Sequence, residues 1–520
     1  MGVQMRLKAV RVKNFRGYKN SGWIKISGLT GLVGKNDCGK SSILDALELF
    51  FAPARKFDEG DLRKSAPRNA VAEIACEFDD LPKEVCLDNS ESTTLQDEFL
   101  VDDSGDLVVV KRYAPNQKAE VFVWCKHPSN PVCSDLLKEK DAKLRAIIEN
   151  KNVSCKNKAS NVEMRKCIRS HFKDSLKVGP QEISLKSDME AKLLECLPKY
   201  YLFKADRDNT EEDAVIRKPI NDEIHDIIKR YGLQSKLNEI ADNILKTLKD
   251  LMGRTLTKMK ELDIPLACDL KPYIPDLSKL KWAEVFKDVS LVGDDEIPLE
   301  KRGSGVRRLV LLSFLRAAKE QPCENGNGLI YAIEEPETAQ HFDNQRKLLQ
   351  SLRRLAETGS AQVIVTTHCS NIVKEIGIEN IHVITKTDER VRIKKPRLLL
   401  PDRLGESLNY VAYRVFGECK VEYHNELYGY LEALGLNACC GNEYIARFGT
   451  REWNRNKDGV PITEHKSLCY YVRNSIHHPE NENNSRPTEE DIDKSIKFME
   501  DFLKRHRKAV INSALSKDSV

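Results

Sequence analysis

Gly34-Lys35-Asn36-Asp37-Cys38-Gly39-Lys40-Ser41 sets two glycines, a lysine and a hydroxyl at the spacing Gly-x-x-x-x-Gly-Lys-Ser. Residues 29–33 read as a short apolar strand and residues 42–51 as a helix of apolar period, so the run is a Gly-rich turn leading from strand to helix. Such a turn aims its backbone N–H groups, and the positive end of the helix, at a polyphosphate. Gly34, Asn36, Gly39 and Ser42 belong to the expected cradle. Lys40 is placed to reach the β- and γ-phosphates, and the Ser41 hydroxyl to ligate Mg²⁺. Cys38 reads as a small residue that the loop tolerates. The expected ligand is ATP or GTP.

A phosphate cradle serves many chemistries, so four further motifs decide the class. Asn14-Phe15-Arg16-Gly17-Tyr18 precedes the loop. Arg302-Gly303-Ser304-Gly305-Val306-Arg307-Arg308 stands before an expected helix, where Ser304 and Gly305 offer a hydroxyl and backbone N–H groups to a γ-phosphate. An apolar strand over 329–333 ends in Glu334-Glu335-Pro336-Glu337. Of its carboxylates, Glu334 suits the Mg²⁺ shell and Glu335 suits polarising the attacking water. Another apolar run, 363–367, closes on His368, which can donate a hydrogen bond to the same phosphate. Each follows the element its chemistry needs, and the expected reaction is Mg²⁺-dependent ATP hydrolysis.

This set resembles the ABC-type ATPase heads of the SMC/RecF group, and most of all the overcoming-lysogenization-defect (OLD) family. The resemblance rests on Asn-Phe-Arg-Gly, Arg-Gly-Ser-Gly and Glu-Glu-Pro-Glu, with the segment 197–207 as a further family element, and covers roughly residues 5–400. It implies two heads sandwiching two ATPs, Lys40 of one subunit facing Ser304 and Gly305 of the other, hence a homo-oligomer of at least two chains. It also implies a bacterial antiviral or abortive-infection role. Two departures stand out. Glu334 occupies the place where the wider class usually has Asp, and no glutamine loop is evident between Phe51 and Val71, leaving Asp58 or Asp61 to substitute. A RecF-type DNA-repair clamp and a scaffold holding a separate toxin are the competing readings.

Full-length OLD proteins carry a Toprim nuclease domain, and here the resemblance stops. Val421-Glu422-Tyr423-His424 lacks the expected glycine, and Asp491-Ile492-Asp493 follows Thr488 into a helical pattern, which reads as a capped first turn. A Toprim nuclease is not expected. Tyr471-Val472-Arg473-Asn474-Ser475-Ile476-His477-His478-Pro479 instead ends a helix starting near residue 465, stopped by the proline. Arg473 and His478, with four residues between them, resemble the R-x(4–6)-H motif of HEPN domains, which often act as metal-independent ribonucleases. His478 would then move the proton of an RNA 2′-OH and Arg473 would stabilise the charged phosphorane. The same end also suits a helix terminus where histidines satisfy the last carbonyls. The output is therefore either this domain or a separate nuclease or toxin partner.

The elements that must hold these residues follow from periodicity. Strands are expected at 5–12, 23–27, 71–78, 107–113 and 120–125, and again at 329–333, 362–366 and 382–386. The fold class is α/β: an ABC-type P-loop head with a helical insertion and a mainly α C-terminal domain. Expected boundaries are 1–125 for the first lobe of the head, 126–265 for the insertion, 266–400 for the second lobe and 401–520 for the C-terminal domain. A net charge of +4 over 520 residues does not by itself declare a nucleic-acid partner, although 156–177 and Arg302, Arg307 and Arg308 are basic enough to meet DNA or RNA phosphates. The 15 cysteines show no zinc spacing and fit reduced thiols. No apolar run spans a membrane and no signal pattern opens the chain, so the expected location is cytoplasmic.

Overall fold

The computed structural model describes residues 4–52, 55–67, 70–88, 91–204, 224, 227–262, 328–337, 342–359, 361–387, 390–395, 407–457 and 460–506. The chain divides into two compact units, Met1–Ala205 together with Glu324–Val520, and Asp206–Cys323.

In the first unit an antiparallel sheet comes first. It contains β1 (Arg6–Phe15), β2 (Tyr18–Asn20), β3 (Ile24–Lys25) and, after β4 (Leu29–Val33), β5 (Ala72–Asp79). A small separate hairpin, β6 (Val85–Asp88) with β7 (Glu91–Thr93), precedes β8 (Leu107–Tyr113), β9 (Glu120–Pro128) and β10 (Val178–Ile183). The order is β10-β9-β8-β5-β1-β2, with β3 also on β1. Period-two patterning builds it: Ala72, Ile74, Cys76 and Phe78 of β5 are buried, while Glu73 on the other face pairs with Arg11 and Lys13 at 3.0 and 2.9 Å.

The second sheet carries the chemistry. It joins β4 to β11 (Lys199–Phe203), β12 (Leu329–Glu334), β13 (Gln362–Thr367), β14 (Ile381–Thr387) and β15 (Arg390–Lys394) in the order β11-β12-β13-β4-β14-β15. All neighbours are parallel except β14 and β15, which form an antiparallel hairpin. β4 and β13 are buried at every residue, as strands covered on both faces must be. Between the sheets lies the helix Lys40–Phe51, whose Ile43, Leu44, Leu47 and Phe50 share one core with Leu7, Val10 and Val12 of β1 and Leu32 and Ile364 of the parallel sheet. Each such side chain contributes about 1.5–3 kcal/mol by leaving water. Gln362 fastens the sheets together. Its amide accepts from the Leu7 N–H at 2.7 Å and donates to the Leu7 carbonyl at 2.8 Å, where β1 bulges and its own ladder is interrupted.

Residues 126–203 depart from the expected helical insertion. Helices Asp141–Asn150, Asn161–His171 and Ser187–Glu195 are present, yet β9 runs on to Pro128, β10 pairs with it, and β11 lines the parallel sheet beside β12. The charged texture of this stretch hides short strands whose partners are distant in sequence. The expected boundaries at 265 and 266 fall on residues outside those described, and in the second unit the described part is mainly the helix Gln234–Leu262.

The C-terminal region packs helices Lys420–Ala433, Asn437–Phe448, Leu468–His477 and Glu489–Arg505 around Tyr423, Leu427, Leu431, Val472, Ile496, Met499 and Phe502. It also holds an antiparallel hairpin, β16 (Arg451–Lys457) and β17 (Val460–Lys466), within the domain expected to be mainly α. Asp491 sits in a full capping box with Thr488, so the Asp491-Ile492-Asp493 acids do open a helix. Among the described residues, no helix is long and apolar enough to cross a membrane.

Candidate functional site

The carboxyl ends of β12, β13 and β4 lie side by side in the parallel sheet, and the residues that follow them converge there. After β4 comes the phosphate loop. A Cβ on Gly34 would fall on the Ile384 carbonyl oxygen and the Cys38 sulfur, so no other residue fits that turn. Gly39 takes φ 102°, a left-handed conformation, and starts the helix; its carbonyl accepts from the Tyr18 hydroxyl at 3.0 Å. Lys40 is buried and bonds the Gly34 and Lys35 carbonyls, each at 3.0 Å. Asp37, at the exposed tip, is held by Lys386 at 2.9 Å, which keeps its carboxyl below the usual range.

Glu334 ends β12 and contacts the Ser41 hydroxyl directly. Glu335 takes φ 41°, rare for a residue with a side chain and worth of order 1 kcal/mol of strain. Its N–H is tied to the Thr366 carbonyl at 3.0 Å and hydroxyl at 3.2 Å. The turn faces Glu335 toward Lys40 at 3.6 Å and toward His368 Nδ1 at 3.3 Å. Two neighbouring carboxylates therefore meet different partners, one a hydroxyl and the other a cation and an imidazole.

Glu337, which carries no role in the sequence reading, organises the far side. It accepts from the Thr367 hydroxyl at 2.7 Å and the His368 N–H at 3.0 Å, and lies 3.4 Å from His368 Nδ1. Its other oxygen is buried without a hydrogen-bond partner. The fourth position of Glu-Glu-Pro-Glu was the only sequence signal for it.

Ser41 and Glu334 supply adjacent hard oxygen donors of the kind Mg²⁺ selects, and the glycine cradle beside Lys40 suits phosphate oxygens, so the residues present fit MgATP. Asn36 is exposed on the loop and Ser42 lies in the first turn of the helix. Ser304 and Gly305, with Arg302, Arg307 and Arg308, lie outside the described residues.

Asp58 and Asp61, the suggested substitutes for a glutamine loop, both have structural partners. Asp58 accepts from the N–H groups of Gly60 and Asp61 at 2.7 and 3.1 Å, and buried Asp61 binds Arg16 at 2.9 Å. Arg16 also reaches Asp45, where Arg55 and Lys204 converge. Burial pushes the Asp45 carboxyl up, but Lys204, Arg16 and Arg55 outweigh it and hold it below the ordinary range. The Asn-Phe-Arg-Gly arginine thus anchors the root of the nucleotide helix.

In the C-terminal region His478 follows the helix Leu468–His477, exposed, with Nδ1 3.1 Å from Glu480. Arg473 lies over the Tyr428 ring at 5.8 Å, and its Nε is buried without a partner. Among the described residues no contact joins Arg473 to His478. The imidazole that feels Arg473 is His424, fully buried, with Nε2 2.8 Å from the Ser495 hydroxyl. Burial, then Arg473, pushes its pKa down to about 4.

No curated protein matches the chain in sequence. Among solved structures it is similar to the SMC head domain from Thermotoga maritima (14% identity, 75% of this chain and 98% of that one, TM-score 0.32). It is also similar to the Smc head domain with an extended coiled coil bound to the C-terminal domain of ScpA, from Pyrococcus furiosus (13% identity, 75% and 96%, TM-score 0.36). The family model described as the AAA ATPase domain matches residues 5–373, which include the phosphate loop, the Glu334–Glu335 strand end and His368. The chain belongs to the AAA ATPase domain family.

Proposed function

We propose that this ATPase works as a head of OLD type in a bacterial antiviral system, sensing or clamping a signal and governing a nuclease or toxin output. The observation that carries the ATPase part is Glu335 set between Lys40 and His368 while Glu334 meets Ser41. Lys40 holds the terminal phosphates, and Ser41 and Glu334 hold Mg²⁺. The metal, when bound, neutralises charge that develops on the phosphate oxygens. Glu335 polarises the attacking water, and His368 donates to the γ-phosphate. Gly34, Asn36, Gly39 and Ser42 complete the cradle.

Ser304 and Gly305 close the nucleotide of a second copy, so the working unit is at least a dimer. The C-terminal domain provides the output, through Arg473 and His478 acting on RNA or through a bound nuclease or toxin. The pairing of His478 with Glu480, and of Arg473 with Tyr428, favours the docking form of this reading.

Two measurements test the proposal. Purified protein should hydrolyse ATP only with a divalent cation, and Lys40→Ala should abolish this. Overexpression should arrest bacterial cells in a manner that requires Lys40. An ATPase without any toxicity, alone or with its neighbouring gene products, would favour a repair clamp instead.

A further inference from the structure

The hairpin of β14 and β15 meets the phosphate loop at three points. At the start of the loop, the Ile384 carbonyl oxygen lies 2.4 Å from where a Cβ on Gly34 would stand. At its end, Val391 lies 3.4 Å from the same position on Gly39, and 2.8 Å from that on Gly17. Between them Lys386, opposite Val391 in the hairpin, reaches the exposed tip. Its Nζ donates to the Asp37 carboxylate at 2.9 Å and to the Asp37 carbonyl at 3.3 Å.

Asp37 is an awkward residue for this place. It takes φ 56°, a left-handed conformation that Asp and Asn adopt more readily than other residues with side chains. It also sets a carboxylate, 94% exposed, in a loop whose N–H groups suit a polyphosphate. A negative charge three residues from Lys40 repels that ligand at every phosphate. Among the described residues Lys386 is the one cation paired with Asp37. Exposed ion pairs add little to folding stability, so the worth of this one lies in what it does to the loop.

We propose that Lys386 is a positioning residue for ATP, cancelling the Asp37 charge and holding the loop tip in its left-handed turn. It sets nucleotide affinity and takes no part in the chemistry. The inference rests on the ATPase reading above and adds to it a residue that lies far along the chain from every nucleotide motif.

The test measures binding of the fluorescent analogue mant-ATP with Mg²⁺, and steady-state ATP hydrolysis, on the full chain at about 50 and 200 mM salt. Lys386→Met keeps most of the stem and should raise Kd and KM about three- to tenfold at the lower salt. Its kcat should stay within about twofold of wild type, the pattern of lost binding alone. The higher salt should shrink the loss. Asp37→Asn tolerates the same φ, and joined to Lys386→Met it should return Kd to within about twofold of wild type. Alone, Asp37→Asn should bind at least as tightly as wild type. Lys394→Met removes an equal charge roughly 10 Å farther along the hairpin and should change Kd by less than about twofold.

Three results would each overturn the proposal: an unchanged Kd in Lys386→Met, an equal loss in Lys394→Met, or a loss that Asp37→Asn does not repair. The last would mean that Lys386 touches the nucleotide itself or only packs the loop. Weaker binding by Asp37→Asn alone would overturn it as well, and that variant leaves Lys386 in place. Wild type that binds no nucleotide would refute the ATPase reading, whereas wild-type binding matched by Lys386→Met refutes this inference only. Thermal unfolding of each variant establishes that it is folded, as expected for exposed positions.

Discussion

The Glu337 carboxylate and the Thr367 hydroxyl lie 2.7 Å apart, and that bond fastens the turn after β12 to the end of β13. The same oxygen accepts from the His368 N–H, so one carboxylate fixes both loops that bring Glu335 and His368 together. Glu337→Ala should leave ATP binding near wild type and lower turnover by about 10–100-fold, the effect of a misplacement near 1 Å. Glu337→Gln keeps an acceptor oxygen and should recover part of the loss. Steady-state kinetics with a nucleotide-binding assay check this. Equal activity in the alanine and glutamine variants would mean that the bond positions nothing.

Glu335→Gln should bind ATP and turn it over poorly, because an amide is a weaker base toward water. ATP held between heads should then raise the mass seen by light scattering. With binding demonstrated, a mass that ATP does not change would speak against an ATP-driven dimer, and the mass without nucleotide would reveal a constitutive one.

His424 makes the C-terminal domain acid-sensitive. Burial and Arg473 lower its pKa from 6.5 to about 4, so it is neutral in the folded protein while the unfolded chain takes up a proton at higher pH. Stability from this residue is complete above about pH 6.5 and falls as pH drops toward 4, by about 3 kcal/mol at the acid end. His127 and His382 are lowered too, by burial, and add in the same sense. Carboxylates held below their normal range, such as Asp45 and Glu98, lose their contribution only at more acid pH. Urea midpoints at about pH 7 and 5 therefore isolate the histidines. His424→Gln should show a smaller drop than wild type, and an equal drop would refute the assignment.

If Arg473 and His478 act on RNA, His478→Ala should abolish RNA cleavage and toxicity and leave ATP turnover intact, because the two sites lie in different regions of the chain. Glu480→Ala should then preserve cleavage, since it only removes the partner that holds His478 at 3.1 Å. RNA cleavage assays on the full chain, with and without ATP, decide it. Toxicity unchanged by His478→Ala would assign the domain to docking a separate effector.

The phosphate loop was legible because its chemistry is local: Gly34 to Ser41 are consecutive, and the flanking strand and helix announce themselves by period. Glu334, Glu335 and His368 were legible as strand ends. Glu337 was not, since its partners Thr367 and His368 come about thirty residues later and meet it only because β12 and β13 are neighbours. The place of β11 was hidden for the same reason. Lys199 to Phe203 is a short aromatic run whose partner β12 follows more than a hundred residues on. In the C-terminal region the R-x4-H spacing drew attention to His478, whereas packing brings Arg473 to His424 and Tyr428, from another helix.

The central claim is tested most directly by single-turnover ATP hydrolysis with Mg²⁺ in wild type, Lys40→Ala and Glu335→Gln, with nucleotide binding measured on the same samples. The account predicts hydrolysis in wild type, neither retention nor hydrolysis of ATP in Lys40→Ala, and retained ATP with turnover reduced at least about 100-fold in Glu335→Gln, the scale of losing a catalytic base. Hydrolysis at the wild-type rate in either variant would contradict it.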